Sequence, residues 1–160
     1  MNANYRPENR YKINNSRVFI KTKLLTGRWI KGFEAAKSAI LIPEGKRQRQ
    51  CLGAAIFHGN RLLSTGYNLY TKTKPGNSSI SSRGQEYDIT CHAEQMAVDG
   101  IKHCDYSNVK LIVYVVRINS VGSFTTSRPC AMCLDYLRTY GIKIVRFMNE
   151  NGVPEELALT

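Results

Sequence analysis

Apolar and polar positions along the chain follow two periods. From Trp29, apolar residues recur at Phe33, Ala36 and Ile40, a helical spacing that Pro43 and Gly45 bring to an end. Residues 51–57, "CLGAAIF", are a small-residue apolar run suited to a buried strand. Gly59-Asn60 separates that run from "RLLSTGYN", which predicts a tight hairpin. Residues 70–90, "YTKTKPGNSSISSRGQEYDIT", are polar and rich in Gly and Ser. They predict a loop, and loops of such length are more often functional than neutral spacers. Residues 92–102 read as a helix, "VKLIVYVV" (109–116) as a strand and "INSVGSFTTS" (118–127) as a second loop. Pro129 suits a helix start, where its missing N–H is not needed. Residues 130–140 then read as a helix ended by Gly141, and "IKIVRF" (142–147) as a last clear strand.

Strand, helix and strand in this order imply a parallel pair joined by a right-handed crossover. The expected fold class is α/β, a hairpin joined to parallel strands with helices packed on the sheet. After residue 147 only "MNENGVPEELALT" follows.

Composition narrows the reading in three ways. The length of 160 residues and a hydrophobic content of 42% fit one ordinary domain with a real core. No apolar run reaches the roughly 18 residues of a membrane span, and the N-terminus has no apolar signal-like region, so a cytosolic protein without membrane contact is expected. The net charge of +11 is uneven: residues 1–50 hold 12 Lys/Arg against 3 Asp/Glu. A third that basic attracts polyanions, nucleotides or an acidic partner, or simply forms a solvated face. Residues 1–28 read as a basic arm and 29–160 as the functional domain.

The five cysteines are Cys51, Cys91, Cys104, Cys130 and Cys133. An odd number in a cytosolic chain argues against a disulfide framework. Cys51, Cys91 and Cys104 read as simple buried thiols. Cys130 and Cys133, in "RPCAMC", are i and i+3 at a helix start, where the sulfurs face one way and free N–H groups favour thiolate. That suits a soft cation, zinc first, although a redox pair or two core cysteines share the spacing. Two thiolates do not fill a tetrahedral site. His58 lies at the hairpin turn and His103 near a helix end, both as surface groups. His92 opens a helix, as Cys130 does. His92, Cys130 and Cys133 would make three ligands with a fourth position open for water, the pattern of a catalytic zinc. Glu94, beside His92, could take that water's proton. Its alternative is an acidic first-turn residue that complements the helix dipole.

The combination "HAE" at 92–94 and "PCAMC" at 129–133 resembles the signature of the zinc nucleobase deaminases. The chain is similar to the cytidine and deoxycytidylate deaminase superfamily from about residue 50 to about 147. "GAAIFHGNRLLSTGYN" and "YGIKIVRF" resemble the deoxycytidylate deaminase branch most. The resemblance implies a cytidine deaminase-like three-layer α/β/α sandwich with a mixed sheet of four to five strands. It also implies a hydrolase in nucleotide metabolism that holds Zn2+ and converts cytosine to uracil, most directly dCMP to dUMP, with Glu94 as the proton shuttle. Asn68 matches the family's polar contact to the sugar or base. The Ala93 N–H would bind the base carbonyl, the Cys130 N–H would help hold the attacking water, and the backbone around Ser127 would meet the exocyclic amine. Arg128 is the best placed of Lys72, Lys74, Arg83 and Arg128 for a 5′-phosphate. Homo-oligomeric assembly is implied as well.

Two other readings stay open at this level. One keeps the chemistry and moves it to cytosine or adenine in single-stranded DNA or RNA, tracked by the basic arm. The other is a non-catalytic zinc module that binds nucleic acid, for which Glu94 has no use.

Overall fold

The computed structural model describes residues 27–40, 51–68, 78–80, 86–88, 92–119 and 124–159. The elements are α1 (Gly27–Ser38), β1 (Cys51–His58), β2 (Arg61–Tyr67), β3 (Ser78–Ile80), β4 (Glu86–Asp88), α2 (Ala93–Asp99), β5 (Leu111–Ile118), β6 (Phe124–Thr125), α3 (Ala131–Thr139), β7 (Ile142–Met148) and β8 (Pro154–Ala158). The main sheet runs β2-β1-β5-β7-β8, with β6 attached to β5. β5 and β7 are parallel, and the other pairs are antiparallel. Gly59 sits in the β1–β2 turn at φ +57°, a conformation that glycine adopts at no steric cost.

Alternation along the strands sorts the core into two halves. Ala54, Ile56, Leu111, Val113, Val115, Val145 and Phe147 face one way, against Ala93, Ala97 and Val98 of α2 and Leu137 of α3. Ala55, Phe57, Ile112, Tyr114, Val116, Ile144 and Met148 face the other way, against Phe33 and Ala36 of α1. The sheet is covered on both faces, so its central strands read as continuous apolar runs. This is the expected three-layer α/β/α sandwich.

α1 buries the stripe that its periodicity predicts, with Phe33 edge-on to Tyr114 at 5.4 Å between ring centroids. The Arg146 guanidinium lies 4.2 Å from the Trp29 ring centroid, bonds the Tyr114 hydroxyl and pairs with Glu156 at 2.8 Å. Two positive charges near the start of α1 are spent on the hairpin turn. Arg28 Nε donates to Asn60 Oδ1 (3.1 Å) and Lys31 Nζ to the Asn60 carbonyl (2.8 Å).

Three differences from the sequence reading stand out. The "PEELA" segment is a fifth strand, β8, paired antiparallel to β7, and no helix follows it among the described residues. The predicted 70–90 loop contains a two-stranded ribbon, β3–β4, and the 118–127 loop contains β6. The sheet therefore has six members, five of them on the continuous path. α2 is shorter than predicted, stopping at Asp99 before turns around residue 101. Most of the basic arm, the basic loop 44–50, Lys72, Lys74, Arg83 and Cys91 lie outside the described residues. No helix among the described residues is long and apolar enough to cross a membrane.

Candidate metal centre

His92 and Cys130 hold equivalent places, each the residue that caps a helix start. His92 enters α2 with φ −75° and ψ 150°, and Cys130 enters α3 with φ −67° and ψ 164°. The His92 N–H donates to Gln95 Oε1 (3.2 Å) and its carbonyl accepts from the Met96 N–H (3.1 Å). The Cys130 carbonyl accepts from the Leu134 N–H (2.9 Å). α2 is pressed onto β2 at Gly66, where a Cβ would strike the Ala93 carbonyl oxygen. The Tyr67 N–H adds a bond to Met96 Sδ (3.5 Å).

The two helix starts converge. His92 Nδ1 lies 3.1 Å from Cys133 Sγ and 3.7 Å from Cys130 Sγ, and the three donor atoms lie within 4.8 Å of one another. Ligands around one tetrahedral zinc stand roughly 3.3–3.8 Å apart; the 3.7 Å separation falls in that span and the 3.1 Å one just below it, and a neutral imidazole with two thiolates is a zinc donor set. His92 is half-buried, Cys130 exposed and Cys133 fully buried.

The thiols divide their protons. Hydrogen bonds from Cys133 and then His92 bring Cys130 down to about 4, while Cys133, donating to that thiolate and buried, is pushed far up. The bond to Cys130 raises His92. Glu94 is 2% exposed, and burial raises its carboxyl. Its Oε2 finds no hydrogen-bond partner among the described residues. A buried polar atom without a partner is costly, and Oε2 lies on the side chain beside the three donor atoms.

The other candidates take varied positions. Asn68 is buried, and its Oδ1 accepts from the Leu52 N–H (2.9 Å). Ala93 is the first residue of α2, where N–H groups lack helical partners. Ser127 is buried with its hydroxyl turned into the sheet. Arg128 is exposed, its guanidinium 5.7 Å from the Phe147 ring centroid. His58 and His103 are exposed, as expected. Cys51 is buried, but Cys104 is exposed, contrary to its reading as a buried thiol, because it lies in the turns after α2. What sequence reasoning missed is the close seat of α2 on Gly66 and the burial of the Ser127 hydroxyl between Val115 and Met148. Only the "TG" before Tyr67, a glycine inside a strand, hinted at a close backbone approach.

Residues 32–149 match the cytidine and deoxycytidylate deaminase zinc-binding region, and the chain belongs to that family. It is a hydrolytic deaminase of the zinc type. Among solved structures, the cytidine deaminase of Burkholderia pseudomallei is 18% identical, with a TM-score of 0.55 over 84% of this chain and 94% of that one. The dCMP deaminase of cyanophage S-TIM5 in its apo form is 21% identical, with a TM-score of 0.49 over 80% of this chain and 96% of that one. The first of these supports the cytidine deaminase fold. No curated protein matches the chain.

Proposed function

We propose that this deaminase acts on cytosine in a nucleotide, dCMP first, giving dUMP and ammonia. The observation that carries the reading is the buried Glu94 carboxyl, its Oε2 without a partner among the described residues, beside the His92, Cys130 and Cys133 donors. His92 through Nδ1, Cys130 and Cys133 would hold zinc. When bound, zinc supplies a Lewis acid that brings the pKa of a water toward neutrality.

The remaining work falls to the chain. As the water oxygen bonds to the carbon that bears the amine, Glu94 Oε2 takes one water proton and places it on the ring nitrogen; it then carries the remaining hydroxyl proton to the amine, and the C–N bond breaks to release ammonia. Its raised pKa suits a group that must both take and return a proton. The Ala93 N–H binds the base carbonyl, and the Cys130 N–H helps to orient the water. The exocyclic amine is a donor and needs an acceptor. At Ser127 the N–H and hydroxyl are committed to the sheet, which leaves its carbonyl for that task. Asn68 meets the sugar, and Arg128, exposed two residues before Cys130, meets the 5′-phosphate.

The test is a substrate panel of dCMP, dCTP, deoxycytidine and single-stranded oligonucleotides, with ammonia and uracil followed for wild type and Arg128→Gln. Turnover of dCMP, with KM raised about tenfold or more in Arg128→Gln and deoxycytidine unaffected, is expected for a charge-assisted phosphate contact. Turnover of oligonucleotide without monomer would overturn this choice in favour of a polynucleotide substrate drawn by the basic first third.

A further inference from the structure

We propose that Ser127 is a positioning residue for the metal centre. Its hydroxyl staples the segment that leads to Cys130 into a fork between β5 and β7, and so sets where the Cys130 and Cys133 sulfurs meet His92. The proposal rests on the zinc reading of those three residues.

β5 pairs with β1 along its whole length, from Leu111 to Ile118. On its other side it pairs with β7 only from Leu111 to Tyr114, and beyond that with β6 at Arg117 and Ile118. The two parallel strands therefore part toward their C-terminal ends, the end at which open α/β sheets bind ligands. The chain leaving β6 enters this fork. Ser127, two residues after β6, fills it with three bonds. Its N–H donates to the Met148 carbonyl (2.9 Å), its Oγ donates to the Val115 carbonyl (2.7 Å), and the same Oγ accepts from the Met148 N–H (2.8 Å).

The residue is 2% exposed, so these backbone groups have no water to turn to. One hydroxyl satisfies a donor on β7 and an acceptor on β5 that have parted from each other. Alanine would leave both unpaired in a dry place. From the staple to the α3 cap there are only Arg128 and the buried Pro129, whose φ is fixed by its ring. Movement at the fork is thus passed to Cys130 over a short, stiff lever.

The test uses Co2+ as the probe, added to metal-free protein, with the cobalt–thiolate and d–d bands read for affinity and geometry. Ser127→Ala is compared with wild type and with Phe33→Leu, a core change under α1 on the far face of the sheet. We expect Ser127→Ala to bind Co2+ about tenfold more weakly with altered d–d intensity, and Phe33→Leu to lose stability but keep the wild-type spectrum. Unchanged bands at unchanged affinity in Ser127→Ala overturn the proposal alone. Absence of cobalt–thiolate bands in wild type overturns the metal reading beneath it. If Ser127→Ala does not fold, hydrogen exchange of the wild-type Met148 amide decides: slow exchange supports the staple and fast exchange refutes it.

Discussion

His92 Nδ1 and Cys133 Sγ stand 3.1 Å apart although 41 residues separate them in the chain. The contact joins the cap of one helix to the first turn of another, and a cation between them must displace protons. Binding requires a neutral imidazole and two thiolates. Hydrogen bonds from Cys133 and His92 lower Cys130 to about 4, whereas the bond to Cys130 and burial raise Cys133, and His92 is raised as well. Acidification therefore works against the metal. Apparent zinc affinity should fall by roughly one to two powers of ten per pH unit between pH 8 and pH 6, one for each proton displaced. Competition with a chelator at several pH values measures the slope. A flat profile would contradict this ligand set.

The first turn of α2 owes its place to the lack of a side chain at Gly66. A Cβ there would meet the Ala93 carbonyl and the Ala97 amide, both backbone atoms that cannot step aside. Gly66→Ala should cost about 1–3 kcal/mol and weaken metal binding, because α2 carries His92. Gly27→Ala meets nothing within 4 Å and should do neither. Thermal melts and metal titrations of the two variants separate the effects.

On the opposite face, Arg146 ties Trp29, Tyr114 and Glu156 together. Arg146→Ala should cost about 1–3 kcal/mol, from the lost stacking and from a Tyr114 hydroxyl left without its donor. The His92, Cys130 and Cys133 donors lie across the sheet, so zinc affinity should stay at the wild-type value. Denaturant unfolding beside a chelator assay tests both halves.

The elements that the sequence makes plain are those whose side chains repeat their surroundings. α1 shows its stripe at Trp29, Phe33 and Ala36, and β5 is apolar throughout because helices cover both of its faces. β8 was hard to see because it is an edge strand. Pro154 opens it, Glu155 and Glu156 bond to Asn149 and Arg146, and little apolar pattern remains. β6 has two residues and exists only through its partner β5. In the candidate site, His92, Glu94, Cys130 and Cys133 are legible because zinc deaminase chemistry would demand those residue types at that spacing. The depth of Glu94 and the fork that holds Ser127 are not legible, since both arise from strands distant in the chain.

The central claim is that Glu94 moves the proton while His92, Cys130 and Cys133 hold the metal. The most direct test measures zinc content and dCMP turnover of wild type and Glu94→Gln in parallel. Glutamine keeps the shape of the buried side chain but cannot carry the proton. The account predicts about one zinc per chain in both proteins and a turnover lower by about 10²- to 10⁴-fold in the variant. A Glu94→Gln protein that retains zinc and deaminates at the wild-type rate would contradict it.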